Sequence, residues 1–303
     1  RLDDLFYRGT ENGAEGLRMV NADEIAEIEP YSAGVKGIFS PNTGIIDYSE
    51  VSRMYAQEFG EAGGDLLKNA ELLSVDRRDG LIYLNTTAGS VAATNVINCA
   101  GLHADYVAKM MGVDTGVRIV PFRGEYFSII PEKAHIVKGL IYPVPDPTLP
   151  FLGVHFTRRV DGSVEAGPNA VLAFAKEGYS KTSANAQDLL NTFTYPGFWK
   201  MSAKFWQVGV KEQYRSLVKG AFVKSLKTLI PDIQESDLGE PGAGVRAQAV
   251  DRKGNLLQDF SISETDNAIH VMSAPSPGAT SSLTISEYIV GMAEKSFGLR
   301  SVA

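Results

Sequence analysis

Two arginines stand where a guanidinium is hard to accommodate. Arg123 lies in the strand-like stretch VPFRGEYF, and Arg246 lies among the small residues of GAGVRAQAV. Burying such a group without an anionic partner is costly, and its planar fork matches a carboxylate through two parallel hydrogen bonds. For each arginine, an internal Asp or Glu and a bound acid remain equally open as the partner. Two such forks in separate segments favour a diacid ligand only modestly. His155, in FLGVHFTRR, alternates with Val154 and Phe156. Its face depends on a register that alternation alone does not set, so a structural role and a general-base role near neutral pH both stand.

Other chemistries lose support. His103, His135 and His270 show no metal-ligand spacing, and no H-E-x-x-H, paired-cysteine or G-x-S-x-G pattern occurs, so no metal site and no serine hydrolase is expected. The single cysteine, Cys99, precludes an internal disulfide, and its apolar run predicts a buried small hydrophobe. With 29 basic against 36 acidic residues and a net charge of −7, a nucleic-acid partner is not expected. No apolar run reaches the roughly 18 residues of a membrane span. At 303 residues and 44% hydrophobic composition, the chain can build two cores. It opens RLDDLFYRG, without an initiating Met or a signal peptide, and reads as a fragment.

The elements that must position these groups are legible. TNVINCAGLHADYVAKM (94–110) predicts a buried strand, a turn at Gly101 and a helix over 104–110. NAIHVMSAPSPGATSSLTISEYIVGMAEK repeats that design, with a strand at 269–272, a turn of small residues and a helix from about Thr280. Small residues at a helix start let backbone N–H groups approach a ligand, although a plain proline-glycine turn explains Gly278 to Ser281 equally well. No GxGxxG phosphate fingerprint accompanies either copy. Further helices are expected at 21–30 and 48–60, and a hairpin is expected to turn at Ala88-Gly89, its second strand running straight into NVINCAG. After Thr115, prolines, alternation and the Asp161-Gly162 turn signal point to an antiparallel sheet, with helical stretches following.

Eight blocks occur in order: GIIDYSEV (44–51), NCAGLHAD (98–105), RIVPFRGEYF (118–127), IYPVPDP (141–147), PFLGVHFT (150–157), GPNAVLAFAKEGY (167–179), AGVRAQAVDRKGNLLQDF (243–260) and APSPGATSSL (274–283). With them the chain resembles the L-2-hydroxyglutarate dehydrogenase/oxidase family, within the D-amino-acid-oxidase-like flavoproteins, from about residue 1 to its C-terminus. The resemblance implies an α/β plus α+β fold: the remainder of a Rossmann-like FAD-binding domain built from separated segments, with an antiparallel-sheet capping domain for substrate. It assigns 46–116 and 241–303 to FAD binding and 1–45 and 117–240 to the cap. The glycine fingerprint is expected upstream of Arg1, which would leave this chain without the main pyrophosphate cradle.

Carried over by position, the resemblance sets Ala100 and Gly101 against FAD, Leu72 beside its adenine end, and Gly278, Ala279 and Thr280 near the flavin ring. Arg246 would hold a substrate carboxylate at the flavin face. In the cap, Arg123 would take the distal carboxylate, with Tyr126 and Asn169 as further substrate contacts and His155 as the base. The implied reaction is oxidation of an L-2-hydroxy acid, L-2-hydroxyglutarate to 2-oxoglutarate, by hydride transfer to flavin N5. Oxygen or a membrane quinone would then take the electrons. A cytoplasmic enzyme, peripheral at the inner membrane face, follows from the same resemblance, and pairing through exposed strand edges leaves a homo-oligomer open. The rival readings are an amine or amino-acid oxidase, a glycerol-3-phosphate-type dehydrogenase, and a binding module without cofactor.

Overall fold

The computed structural model describes residues 1–145 and 153–299. Positions 146, 147 and 150–152 of the family blocks, and 300–303 of the expected FAD-binding segment, lie outside the described residues. In chain order the elements are α1 (Leu2–Glu11), β1 (Arg18–Asn21), α2 (Ala22–Ile28), β2 (Lys36–Phe39), α3 (Tyr48–Glu61), β3 (Leu72–Arg78), β4 (Leu81–Thr86), β5 (Gly89–Ala93), β6 (Val96–Asn98) and α4 (Ala104–Met110). Then come β7 (Val117–Ile129), β8 (Leu140–Ile141), β9 (His155–Arg158), β10 (Val164–Gly167), β11 (Val171–Leu172), α5 (Ala186–Phe193) and α6 (Pro196–Leu217). The rest are α7 (Lys219–Leu226), β12 (Leu238–Asp251), β13 (Ser261–Thr265), β14 (Ala268–Ser273) and α8 (Ser282–Phe297). The chain divides into two compact units. Among the described residues no helix is long and apolar enough to cross a membrane.

The first unit comprises 1–51, 123–172 and 206–244. Its sheet has the order β11-β7-β10-β9-β8, with β12 also beside β7. The Asp161-Gly162 turn signal is met by the antiparallel β9–β10 pair, which sets His155 opposite Gly167 and Phe156 opposite Ala166. That register answers what alternation left open. Val154, Phe156, Val164 and Ala166 are buried with Phe222, Val223 and Leu226 of α7, and the intervening His155 takes the other face. At the start of α2, Asn21 and Glu24 form a reciprocal capping box, which is why the helix begins where the Asn cap predicts.

The second unit comprises 52–122, 173–205 and 245–303. An antiparallel β3-β4-β5 sheet lies in it beside a sheet of order β13-β14-β6. The hairpin turns at the expected place, because Thr86 pairs with Gly89. Its second strand does not continue into the family block, however. It stops at Ala93, and after two residues β6 pairs in parallel with β14, Val96 opposite Ala268 and Asn98 opposite His270. The polar pair Thr94-Asn95 marks the break between Ala93 and Val96, and reading two strands as one runs through it. Residues 173–205, expected with the cap, cluster with this unit. Buried Asp105 binds the Lys176 ammonium, and Asp188 accepts from the Tyr106 hydroxyl at 2.8 Å and the Lys176 amide at 2.7 Å.

Candidate functional site

Parallel strands β6 and β14 end on the same edge, and ligands in open α/β sheets bind outside such carboxyl ends. Each strand leaves through a turn of small residues. Cys99 to His103 lead into α4, and Ala274 to Ser281 lead into α8. Between them lies a cavity of about 310 Å³, where Cys99, Gly101 and Gly278 face Met272, Ile285 and Ile289. Two glycines shape it for different reasons. Gly101 sits at φ +52°, in the left-handed region, with open space where a Cβ would stand. A Cβ on Gly278 would stand 2.7 Å from the Ala274 carbonyl oxygen, so no larger residue fits that turn.

None of the residues lining this cavity carries a charge. Its small, mostly apolar walls fit one side of a planar ring system such as a flavin. Ala100, Ala279 and Thr280 sit on the same two turns and are exposed. Leu72 opens β3, is half-buried and does not line the cavity. Cys99 departs from expectation, because it is exposed and contributes to the cavity wall. The strand ends at Asn98, so the next residue has no paired neighbour to cover it. Desolvation on its inner side still pushes the Cys99 thiol above its ordinary pKa.

In the first unit the structure joins two of the sequence candidates through a third residue. Arg123 and Asn169 are both buried, and both hold Glu125. Arg123 donates from Nε and Nη2 to Glu125 Oε1 at 3.1 and 2.9 Å. The Asn169 amide donates to Oε2 at 2.8 Å, and the Ser216 hydroxyl donates to Oε1 at 2.9 Å. Asn169 also accepts the Glu125 backbone N–H at 2.9 Å. The internal partner left open for Arg123 is therefore Glu125. The signal was present, since Arg-x-Glu in a strand puts both side chains on one face.

Tyr126, His155 and Arg246 are half-buried. The His155 ring stacks on Tyr142, with centroids 4.4 Å apart and planes 24° apart. Its Nδ1 lies 3.1 Å from the Gly153 carbonyl oxygen. A carbonyl only accepts, so Nδ1 carries a proton, and it is the neutral ring that would have its lone pair on Nε2, the tautomer a base needs. Among the described residues no cluster of His, Cys, Asp and Glu could hold a metal ion.

Comparison with known proteins adds lineage to this geometry. The DAO model, described as FAD dependent oxidoreductase, matches residues 1–292. The chain is 51% identical over 297 residues to an L-2-hydroxyglutarate dehydrogenase of Indibacter alkaliphilus, covering 98% of this chain and 74% of the relative. It is 43% identical over 316 residues to the human mitochondrial L-2-hydroxyglutarate dehydrogenase, covering 99% and 68%. Among solved structures, the L-α-glycerophosphate oxidase of Mycoplasma pneumoniae with FAD bound superposes at a TM-score of 0.67. At 20% identity, with 99% of this chain and 69% of that one covered, it speaks to the fold alone.

Proposed function

The chain belongs to the DAO family of FAD-dependent oxidoreductases and, within it, to the L-2-hydroxyglutarate dehydrogenases, and from that membership we propose how its residues oxidise L-2-hydroxyglutarate to 2-oxoglutarate. The observation that carries the reading is identity of 51% along 98% of the chain, joined to an uncharged cavity at the ends of two parallel strands. When bound, FAD supplies the two-electron acceptor of the oxidation. Cys99, Gly101 and Gly278 would hold its ring, with Ala100, Ala279 and Thr280 beside them on the same turns and Leu72 at the adenine end.

The chain's own groups bind and orient the acid. Arg246 receives the α-carboxylate through its two-pronged fork, which fixes the carbon that is oxidised. His155, with its lone pair on Nε2, takes the hydroxyl proton. Arg123 orients the distal carboxylate from within its network with Glu125 and Asn169, and Tyr126 completes that side. One observation favours weighing a second reading, an amine or monocarboxylate substrate: Glu125 already answers part of the Arg123 charge. Turnover with a dye acceptor and product identification separates the two. Formation of 2-oxoglutarate from L-2-hydroxyglutarate supports the assignment, and faster turnover of glycine or glycerol 3-phosphate overturns it.

We propose oxygen or a membrane quinone as the electron acceptor and a cytoplasmic, peripheral position at the inner membrane face. The second half of α6 supports the peripheral position. Helical geometry breaks at Phe205, and beyond it Trp206, Val210, Tyr214 and Leu217 are 58–70% exposed. At 3.6 residues per turn they fall within about 80° of one another. Lys211 and Lys219 are exposed nearby, while Glu212 turns inward and pairs with Arg215 at 2.6 Å. An aromatic stripe with a basic rim fits the interface of an anionic bilayer.

A further inference from the structure

Asn98 is the last residue of β6, and His270 lies directly opposite it on β14. Both are buried, at 3% and 0% exposure. The Asn98 side chain closes its own turn twice. Its Oδ1 accepts the Ala100 N–H at 3.1 Å, and its Nδ2 donates to the Ala104 carbonyl at 2.9 Å. The second Nδ2 hydrogen faces His270 Nδ1 at 3.1 Å. An amide nitrogen only donates, so Nδ1 is the acceptor and the imidazole proton sits on Nε2. Among the described residues Nε2 has no hydrogen-bond partner, although it is fully buried. An apolar residue would be the cheaper occupant of that space, because an unmade hydrogen bond to a buried group is a net loss.

We infer that Asn98 and His270 are positioning residues for the flavin, one clamp that fixes the Ala100–Gly101 turn to the strand leading to Gly278. The clamp spans both walls of the cavity. On one side it holds the two backbone groups that flank Gly101, and on the other it anchors in β14, four residues before the turn that begins at Ala274. Burial and the neighbouring Arg77 charge both favour the neutral imidazole that this bond requires. The assignment rests on the reading that these turns face the flavin.

The test measures FAD affinity and flavin reduction potential of the purified enzyme after deflavination and reloading, beside the thermal stability of the apoprotein. His270→Leu removes the orphaned Nε2–H but also takes away the acceptor of the Asn98 Nδ2–H, so the two changes offset and the apoprotein should be about as stable as wild type. Its FAD dissociation constant should nevertheless rise by about tenfold, the loss of one net hydrogen bond in the clamp. Asn98→Asp keeps the acceptor for Ala100 but loses both donors, and it should give a similar rise, with the double variant no worse than either single one. Gly101→Val serves as the control for the cavity itself. If Gly101→Val weakens FAD while His270→Leu and Asn98→Asp leave affinity and potential within twofold of wild type, the clamp is wrong and the cavity stands. If none of the three moves FAD affinity, both fall.

Discussion

Arg123 and Glu125, two residues apart on β7, form a buried ion pair at 2.9 Å with side chains 6% and 8% exposed. Strand geometry makes the pair, since residues i and i+2 share a face. Removing one partner strands the other charge away from water. Arg123→Ala should therefore cost about 3–5 kcal/mol, and replacing both with Met and Leu should restore most of it. Urea unfolding of the two variants measures this. A single variant within 1 kcal/mol of wild type would show that the Glu125 carboxylate does not depend on Arg123.

Arg246 is assigned to the substrate carboxylate. Arg246→Lys keeps the charge and replaces a two-pronged fork with a point donor, so one charge-assisted hydrogen bond is lost. We expect kcat/KM for L-2-hydroxyglutarate to fall about 10- to 100-fold, with unfolding free energy nearly unchanged. Steady-state kinetics within twofold of wild type would remove Arg246 from the site.

His270 makes stability depend on pH in a stated direction. Burial, and to a lesser degree the Arg77 charge, hold its pKa below the ordinary value of 6.5. The fold therefore favours the neutral ring. That contribution is complete above the unfolded value and is lost as pH falls from there through the lowered folded value. Wild type should lose more unfolding free energy between pH 7.5 and 5 than His270→Leu does. Parallel profiles for the two proteins would contradict the assignment.

The stripe on α6 predicts lipid binding by the flavin-loaded enzyme. Wild type should float with vesicles containing anionic lipid, less with neutral ones, and should be released by high salt. Trp206→Ser with Leu217→Ser should abolish flotation while leaving turnover with a soluble dye intact. A variant that instead converts a dimer to a monomer, with no vesicle binding by wild type, would make the stripe a contact between copies.

Much of the site's scaffold was legible because its signals are local. The Ala104–Met110 helix, the turn at Gly89, the Asp161-Gly162 hairpin and the strand before the small-residue turn all lie where spacing and turn chemistry set them. What stayed hidden depends on long-range register. Nothing near Asn98 announces that position 270 will stand opposite it, 172 residues away. Thr94 and Asn95 interrupt the stretch from Val91 to Cys99, but nothing in it shows that the pairing partner changes there, or that Cys99 lies past the last paired residue and is exposed. Glu125 was overlooked for another reason. Its spacing from Arg123 was in plain view, but an acid in a strand looks solvated until Asn169 and Ser216 are seen to close over it.

This chain belongs to an enzyme that uses bound FAD to oxidise L-2-hydroxyglutarate. Mixing the flavin-loaded enzyme anaerobically with L-2-hydroxyglutarate in a stopped-flow spectrophotometer tests it most directly. The oxidised-flavin absorbance should be lost with L-2-hydroxyglutarate, with 2-oxoglutarate formed in equal amount and far slower change with the D-enantiomer, glycine or glycerol 3-phosphate. A spectrum that L-2-hydroxyglutarate leaves unchanged while one of those compounds bleaches it would show that L-2-hydroxyglutarate is not the substrate.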